Sequence, residues 1–307
     1  HNLTGWVVPE VAAREHANAI FEVLENVLTW VNLKIEEIDY IAVTTNPWLM
    51  PSLLTWITLA RTLSKVLQKP LIEINHIQAH IFSNFLERKE EEIKFPLVCL
   101  TVSGWHNDIY FMQNMWSMEK IWTSWDDAAG ESFDKVAKMM WLPYPGWPVI
   151  SALAGEYNET WKNLFPRVWL NKDEFDFSFS GLKSAVKREV DLRIEHNKTL
   201  NTPEIQDLKQ NNQILLTKKD KIEISYEFQN AVTEVLSKKL VNWWLSKNVK
   251  TVMLAWWVSA NTDLRDKILS LANKNNLEFV CPIKNLYCMD NAAMVWILAY
   301  YKIKYWE

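Results

Sequence analysis

The sequence predicts an α/β protein of two parts, and three observations carry that reading. Helix-like and strand-like segments alternate from Pro9 onward, the pattern of layered α/β folds. The length, 307 residues, exceeds what one small core serves and suits two domains. A charged run from Glu87 to Lys94 (ERKEEEIK) reads as a solvated connection between them. The expected lobes are residues 1–95 with about 290–307, and residues 96–289.

The elements follow from local pattern. Pro9 to Val31 carries apolar residues at Val11, Ala12, Ile20, Val23, Leu24, Val27 and Leu28, one helical face, with proline in the tolerated first turn. Asp39 to Thr45 is a short buried strand, ended by Asn46-Pro47. Helix is expected over 52–67, strand over 71–74 and helix over 76–86. Pro96 to Val102 is a strongly apolar strand, residues 103–106 a turn, and 107–112 the returning strand. Residues 126–140 read as a helix whose acidic start suits its dipole. Residues 143–148 (PYPGWP) read as a rigid loop, and 181–195 and 222–247 as helices. The stretch 196–221, rich in Asn, Gln, Lys and Thr, reads as a surface connection. Strand 250–255, loop 256–261, helix 264–273, strand 277–280 and helix 291–302 close the chain.

Composition excludes several classes. Hydrophobic residues make up 49% and charged residues 23%, which fits neither a disordered chain nor a coiled coil. The net charge of −4 offers no broad basic field for nucleic acid. Cys99, Cys281 and Cys288 form no CxxC pair, which argues against a disulfide scaffold or zinc ribbon and for a reducing, cytoplasmic setting. No apolar run reaches the roughly 18 residues of a membrane helix, and HNLTGWVVPE has no signal-peptide pattern.

One feature of the composition is abnormal. The chain has 6 glycines and 18 tryptophans. Together they are about 8% of the residues, close to the ~7% usual for glycine alone. One type stands where the other is expected.

Four segments could carry chemistry. His76 and His80, at i and i+4, share a helix face and could share a metal ion, although an unremarkable polar helix face is the plainer reading of HxxxH alone. No Glu follows His76, so a zinc-protease base is missing. Asp290 is a candidate third ligand; on local sequence it reads as a helix N-cap. Val102 to His106 is a strand entering a small-residue turn, which could approach a phosphate or be a plain hairpin. Asp126 to Lys135 holds four carboxylates (Asp126, Asp127, Glu131 and Asp134) at a helix start, either ligands to ribose or metal, or an acidic first turn. Phe177 to Lys183 is a loop entering a helix.

Taken in order, these segments resemble the TsaD (Gcp) family along the whole chain. GGVVPE-x-AAR-x-H appears as Gly5-Trp6 through Glu10, Arg14 and His16; PGL-x-x-SL as Pro47-Trp48-Leu49 to Ser52-Leu53. NH-x-x-AH is intact at Asn75 to His80. SGGHT appears as Ser103-Gly104-Trp105-His106-Asn107, and DDAAGE-x-FDKVAK is intact from Asp126 to Lys138. YPGGP appears as Tyr144 to Pro148 with Trp147, FSFSGLK is intact at Phe177 to Lys183, GGV-x-AN appears as Trp256-Trp257 to Asn261, and DNAAM is intact at Asp290 to Met294. At each of these motifs where glycine is missing, tryptophan stands in its place. Trp30, Trp56, Trp122, Trp141 and Trp306 also fall where relatives commonly carry glycine. A phosphate loop needs the close approach that glycine allows and indole forbids. The one-rule exchange predicts UGA codons, read as glycine in the cell, at positions 48, 105, 147, 256 and 257. The family's first strand and Asp-Glu-Thr loop, an edge of its nucleotide cleft, precede the point where His1 falls, so a fragment is expected.

The resemblance implies the two-lobed actin/Hsp70/sugar-kinase (ASKHA) fold with a nucleotide cleft. It implies transfer of threonylcarbamoyl from threonylcarbamoyl-adenylate to N6 of adenosine 37 in tRNAs reading ANN codons. Carried over, His76, His80 and Asp290 would hold one divalent metal, usually iron, with zinc the alternative. Thr101, Val102, Ser103, Gly104 and Trp105 would face the adenylate phosphate and carbamoyl. Asp134 and Trp147 would contact the nucleoside, and Asn261 would bind near the adenylate. The family often has Asp where Ser151 stands. Glu10 and His106 lie in motifs but receive no base role. Expected partners are tRNA, the paralogue TsaB and the small ATPase TsaE. Lys183, Lys187 and Arg188 form one modest basic cluster, and Lys218, Lys219 and Lys221 another; each reads as a solvated face in preference to a tRNA surface. The competing readings are a kinase or ATPase of the same fold, which would not need the His-His-Asp set, and an inactive scaffold subunit whose loops the tryptophans fill.

Overall fold

A computed structural model describes residues 8–104, 107–123, 128–167 and 179–306. The chain forms two compact units, residues 1–88 with 289–307, and residues 89–288. The short turn Glu90–Glu92 and buried Ile93 belong to the second.

The first unit pairs two parallel strands, β1 (Ile41–Asn46) and β2 (Leu71–Asn75), with helices α1 (Pro9–Val31), α2 (Met50–Leu67), α3 (His76–Phe82) and α10 (Ala292–Trp306). Parallel pairing requires a crossover, and α2 supplies it. Its buried stripe of Leu53, Ile57 and Ala60 packs on Val43 of β1. α10 returns from the far end of the sequence. Its Tyr301 ring meets Phe82 and Phe85 at centroid distances of 5.9 and 5.5 Å. Lys302 Nζ donates to the Glu73 carbonyl at 2.9 Å.

The second unit is built on a five-stranded sheet ordered β5-β4-β3-β6-β7: β3 (Leu97–Val102), β4 (Asn107–Asn114), β5 (Ser117–Thr123), β6 (Thr251–Ala255) and β7 (Glu278–Val280). β3 is central and buried along its whole length, as its unbroken apolar run requires. It pairs antiparallel with β4 and parallel with β6, with Thr101 opposite Ala255. Around the sheet lie α4 (Ala129–Met139), α5 (Gly146–Gly155), α6 (Ser180–Thr199), α7 (Pro203–Gln210), α8 (Lys218–Lys247) and α9 (Thr262–Lys274). Val98, Leu100, Phe133, Phe228 and Leu254 are fully buried in one core.

Three sequence expectations need correction. The expected loop at 143–148 opens α5, because Pro145 caps it and Pro148 falls in the first turn, where no N–H is needed. The expected connection 196–221 contains α7, capped by the Thr202 hydroxyl accepting from Ile205 N–H and anchored by buried Ile205. Its last residues already belong to α8, where Thr217 and Asp220 form a reciprocal capping box. β5 was not foreseen at all.

The backbone bears on the tryptophan excess. Nine non-glycine residues among those described have positive φ, and five are asparagine, the side chain that best tolerates it. Two are tryptophan. Trp141 (φ 55°) follows α4 as the residue after its C-cap. Its N–H bonds to Lys138 carbonyl at 3.1 Å, and Leu142 N–H to Ala137 carbonyl at 2.9 Å. That is the Schellman pattern, whose left-handed position is normally glycine. Trp256 has φ 75° and ψ −174°, a region that is essentially glycine-only.

Candidate functional site

The first unit brings His76, His80 and Asp290 together. β2 runs directly into α3, and Asn75 at the junction caps the helix, its Oδ1 accepting from Gln78 N–H at 3.0 Å. The same side chain donates to Asn46 Oδ1 at the end of β1, at 2.8 Å. The start of α3 is thus pinned to both strands. His76 and His80 then sit one turn apart and buried, with Nε2 atoms 3.2 Å apart. Asp290 lies 210 residues after His80, just before α10. It is not the helix cap: Asn291 Oδ1 accepts from Met294 N–H at 2.9 Å and does that work. The Asp290 carboxylate is left to face the histidines, its Oδ1 at 3.0 Å from His80 Nε2 and 3.5 Å from His76 Nε2.

The electrostatics suit ligands. Burial, and then the neighbouring His80, lower the His76 pKa to about 4 against the pull of Asp290. Burial also lowers that of His80. Both rings are therefore neutral at pH 7 and can offer a lone pair. Burial alone would raise the Asp290 pKa, but the His80 hydrogen bond and the charge interactions with both histidines hold it below the ordinary range. All three donor atoms lie within 4.8 Å of one another. Three ligand atoms about 2.1 Å from one ion stand about 3.4 Å apart in a tetrahedron and about 3.0 Å in an octahedron, so the observed spacings fit a single ion. A two-nitrogen, one-oxygen set is common to zinc and non-haem iron sites. Sequence reasoning missed one neighbour: the Trp48 ring lies tilted against His76 with ring centroids 4.5 Å apart. Its place in the Pro47-Trp48-Leu49 motif was the available signal.

The second unit gathers the loops expected to face a nucleotide at the carboxyl ends of parallel neighbours β3 and β6, where open α/β sheets bind ligands. Thr101 is buried and its hydroxyl donates to the Asp108 carbonyl. The Val102 side chain is in the core, so only its backbone is available. Ser103 is buried, and its carbonyl accepts from Gly130 N–H at 3.1 Å. A Cβ on Gly130 would lie 2.5 Å from that oxygen, so the turn and the start of α4 touch only because residue 130 is glycine. Gly104 ends the described part of this loop. Trp105, His106, Asp126, Asp127, Phe177 and Ser178 lie outside the described residues, as do Gly5 and Trp6.

Asp134 is half-buried and accepts from Gly146 N–H at 2.6 Å. Burial raises its pKa although that hydrogen bond opposes the shift. Trp147, next in α5, meets Trp257 edge-on at 6.4 Å between centroids, joining the α5 start to the loop after β6. Asn261 is fully buried and caps α9: its Oδ1 accepts from Leu264 N–H at 3.0 Å and its amide donates to Gln229 Oε1 at 2.8 Å. It holds the loop's shape from within. No helix among the described residues is long and apolar enough to cross a membrane.

A two-lobed ASKHA-type α/β protein with a histidine–histidine–carboxylate cluster is the class these features define. Solved structures agree on the fold. Full-length HypF in its phosphate- and nucleotide-bound form aligns with a TM-score of 0.59 at 13% identity, over 94% of this chain and 42% of that one. HypF from T. kodakarensis also gives 0.59, at 12% identity over 93% and 43%. The profile of the family described as TsaD, tRNA N6-adenosine threonylcarbamoyltransferase, matches residues 1–296. The transferase of that name from Staphylococcus haemolyticus is 40% identical over 98% of this chain and 81% of its own length. That from Staphylococcus aureus strain MSSA476 is 38% identical over 98% and 81%. The chain belongs to the TsaD family, and its activity is threonylcarbamoyl transfer to N6 of adenosine in tRNA.

Proposed function

We propose that His76, His80 and Asp290 hold one divalent metal, iron first and zinc as the alternative, and that the donor is threonylcarbamoyl-adenylate. The acceptor is adenosine 37 of tRNAs reading ANN codons, and the working assembly includes TsaB-like and TsaE-like partners. The observation that carries this reading is the meeting of two buried neutral imidazoles with a carboxylate from the far end of the chain. When bound, the metal supplies Lewis-acid polarisation and orientation of the threonylcarbamoyl group. In the transfer, the adenine N6–carbon bond forms, the carbon–oxygen bond to the adenylate phosphate breaks, and N6 gives up a proton. Because the leaving group is already activated, the chain's task is positioning and charge stabilisation. The backbone of residues 101–104 faces the phosphate and carbamoyl, Asp134 and position 147 contact the nucleoside, and Asn261 fixes the adjoining loop.

Glycine at positions 48, 147, 256 and 257 belongs to the same proposal. Indole lies against a candidate ligand at 48, and indoles pack edge-on at 147 and 257. Glycine there would leave those spaces to substrate. The test of the site is metal analysis of the purified protein beside nucleoside mass spectrometry of tRNA treated with the assembly. One bound iron or zinc per chain, lost together with the modified nucleoside in His80→Ala, is expected. Full metal content in His80→Ala would refute the ligand set.

A further inference from the structure

In the second unit, α4 and α6 wall an open groove. Its described lining includes five cations, Lys135 and Lys138 from α4 and Lys183, Lys187 and Arg188 from α6, and no carboxylate. The arrangement follows from the helix period. α6 buries Leu182, Val186 and Val190, which leaves positions 183, 187 and 188 on the outer side. α4 buries Phe133, Val136 and Ala137 and turns 135 and 138 outward. Lys135 pairs with Glu131 at 2.7 Å and Lys187 with Asp191, both acids beyond the lining, and Lys138 and Lys183 also have partners within the chain. In a chain of net charge −4, five cations along one groove are a marked segregation of charge.

We propose that this groove seats the phosphate backbone of the tRNA. Cations on both walls and an open course suit a strand that enters and leaves, and not a small enclosed anion. The Ser180 and Ser184 hydroxyls beside the cations can donate to phosphate oxygens, as such side chains do in nucleic-acid complexes. An acidic protein would need carboxylates placed to match two separate helices, whereas a sugar–phosphate chain presents charge continuously. The described part of the FSFSGLK motif, Phe179 to Lys183, thereby gains a physical role: it opens α6 at the groove. Met139, Trp141 and Leu142 supply the apolar part of the lining. The inference rests on tRNA being the acceptor.

The experiment uses the full chain with its partners and fluorescently labelled tRNA, with affinity measured across a salt series. The variants are Lys138→Gln/Lys183→Gln, one residue from each wall, and Lys187→Gln/Arg188→Gln. Circular dichroism and melting must match the parent. Each pair is expected to weaken binding about tenfold or more near 0.1 M salt and to flatten the log–log salt slope by about 1.5 to 2. The apparent KM for tRNA rises while kcat at saturating tRNA holds. Unchanged affinity and slope in both variants, with the parent binding normally, would overturn the groove alone. Loss of an acidic protein partner with tRNA binding intact would overturn it too. A parent that neither binds nor modifies tRNA would instead overturn the acceptor reading beneath it.

Discussion

Replacing Trp141 by glycine should stabilise the protein, and replacing it by alanine should not. Position 141 holds φ 55° after the α4 C-cap. An L-residue with a Cβ pays about 1–2 kcal/mol in that conformation, and glycine does not. Glycine gives back roughly 0.5–1 kcal/mol through its freer unfolded chain. The indole is 68% exposed, so little burial is lost with it. The net expectation for Trp141→Gly is a gain of about 1 kcal/mol, or a Tm rise of about 2–4 °C for a unit of this size. Trp141→Ala keeps the Cβ and should fall at or below the parent. Thermal and urea denaturation of the three proteins, each at fixed metal load, measures this. An alanine variant as stable as the glycine variant would refute the reasoning. In the native protein, peptides spanning residues 141 and 256 should carry glycine mass, and tryptophan mass there would refute recoding directly.

Two further outcomes follow. The metal-free protein should lose stability as pH falls from about 6.5 to about 4. The unfolded His76 takes up a proton near 6.5 while the folded one resists until about 4, so in that window the unfolded state binds more protons and stability declines with acid. The full swing is about 3 kcal/mol for this residue, His80 shifts in the same sense, and the contribution of Asp290 is lost only at lower pH, below the ordinary carboxylate range. A urea midpoint that stays constant between pH 7 and pH 5 after chelation would contradict this. Gly130→Ala should destabilise by about 2–3 kcal/mol, since its Cβ would be driven to 2.5 Å from the Ser103 carbonyl with backbone on either side. A neutral effect in chemical denaturation would mean that the turn at 103 yields more easily than its hydrogen bond to Gly130 implies.

The parts legible in sequence were those with a strong local period. β3 is an unbroken apolar run, and α1 begins at its proline, although of its expected apolar face only Ala12 and Ile20 are buried while Val11, Val23 and Val27 are exposed. β5 was missed because Ser117 to Thr123 mixes charge with isolated apolar residues, and only Trp122 is buried in it. α7 was missed because Asn- and Lys-rich composition outweighed the Thr202-Pro203 start signal, and only Ile205 is buried. The histidine pair was visible as an i, i+4 spacing. Asp290 was a candidate only through its motif, because its place depends on α10 docking against α3 and the turn after it through Tyr301, Phe82 and Phe85, and no spacing rule reaches across 210 residues. Local sequence favoured a cap there, and the structure gives that role to Asn291 one residue later.

The tryptophans at glycine positions fall into two physical kinds, and the distinction matters. At 141 and 256 the objection is conformational: the backbone occupies regions that a Cβ makes costly. At 48, 147 and 257 it is spatial: the indoles pack against a candidate metal ligand or edge-on against each other at loops expected to admit substrate. Adaptive replacement could fill a space with a large apolar ring, since that buries area and adds contacts. It gives no reason to choose tryptophan at a helix C-cap whose side chain stands in solvent, when asparagine serves the left-handed ends of α1 and α8 in the same chain. Two unrelated constraints pointing to one missing residue type are what a codon reading would produce. Selection at each site would have produced a different solution at each.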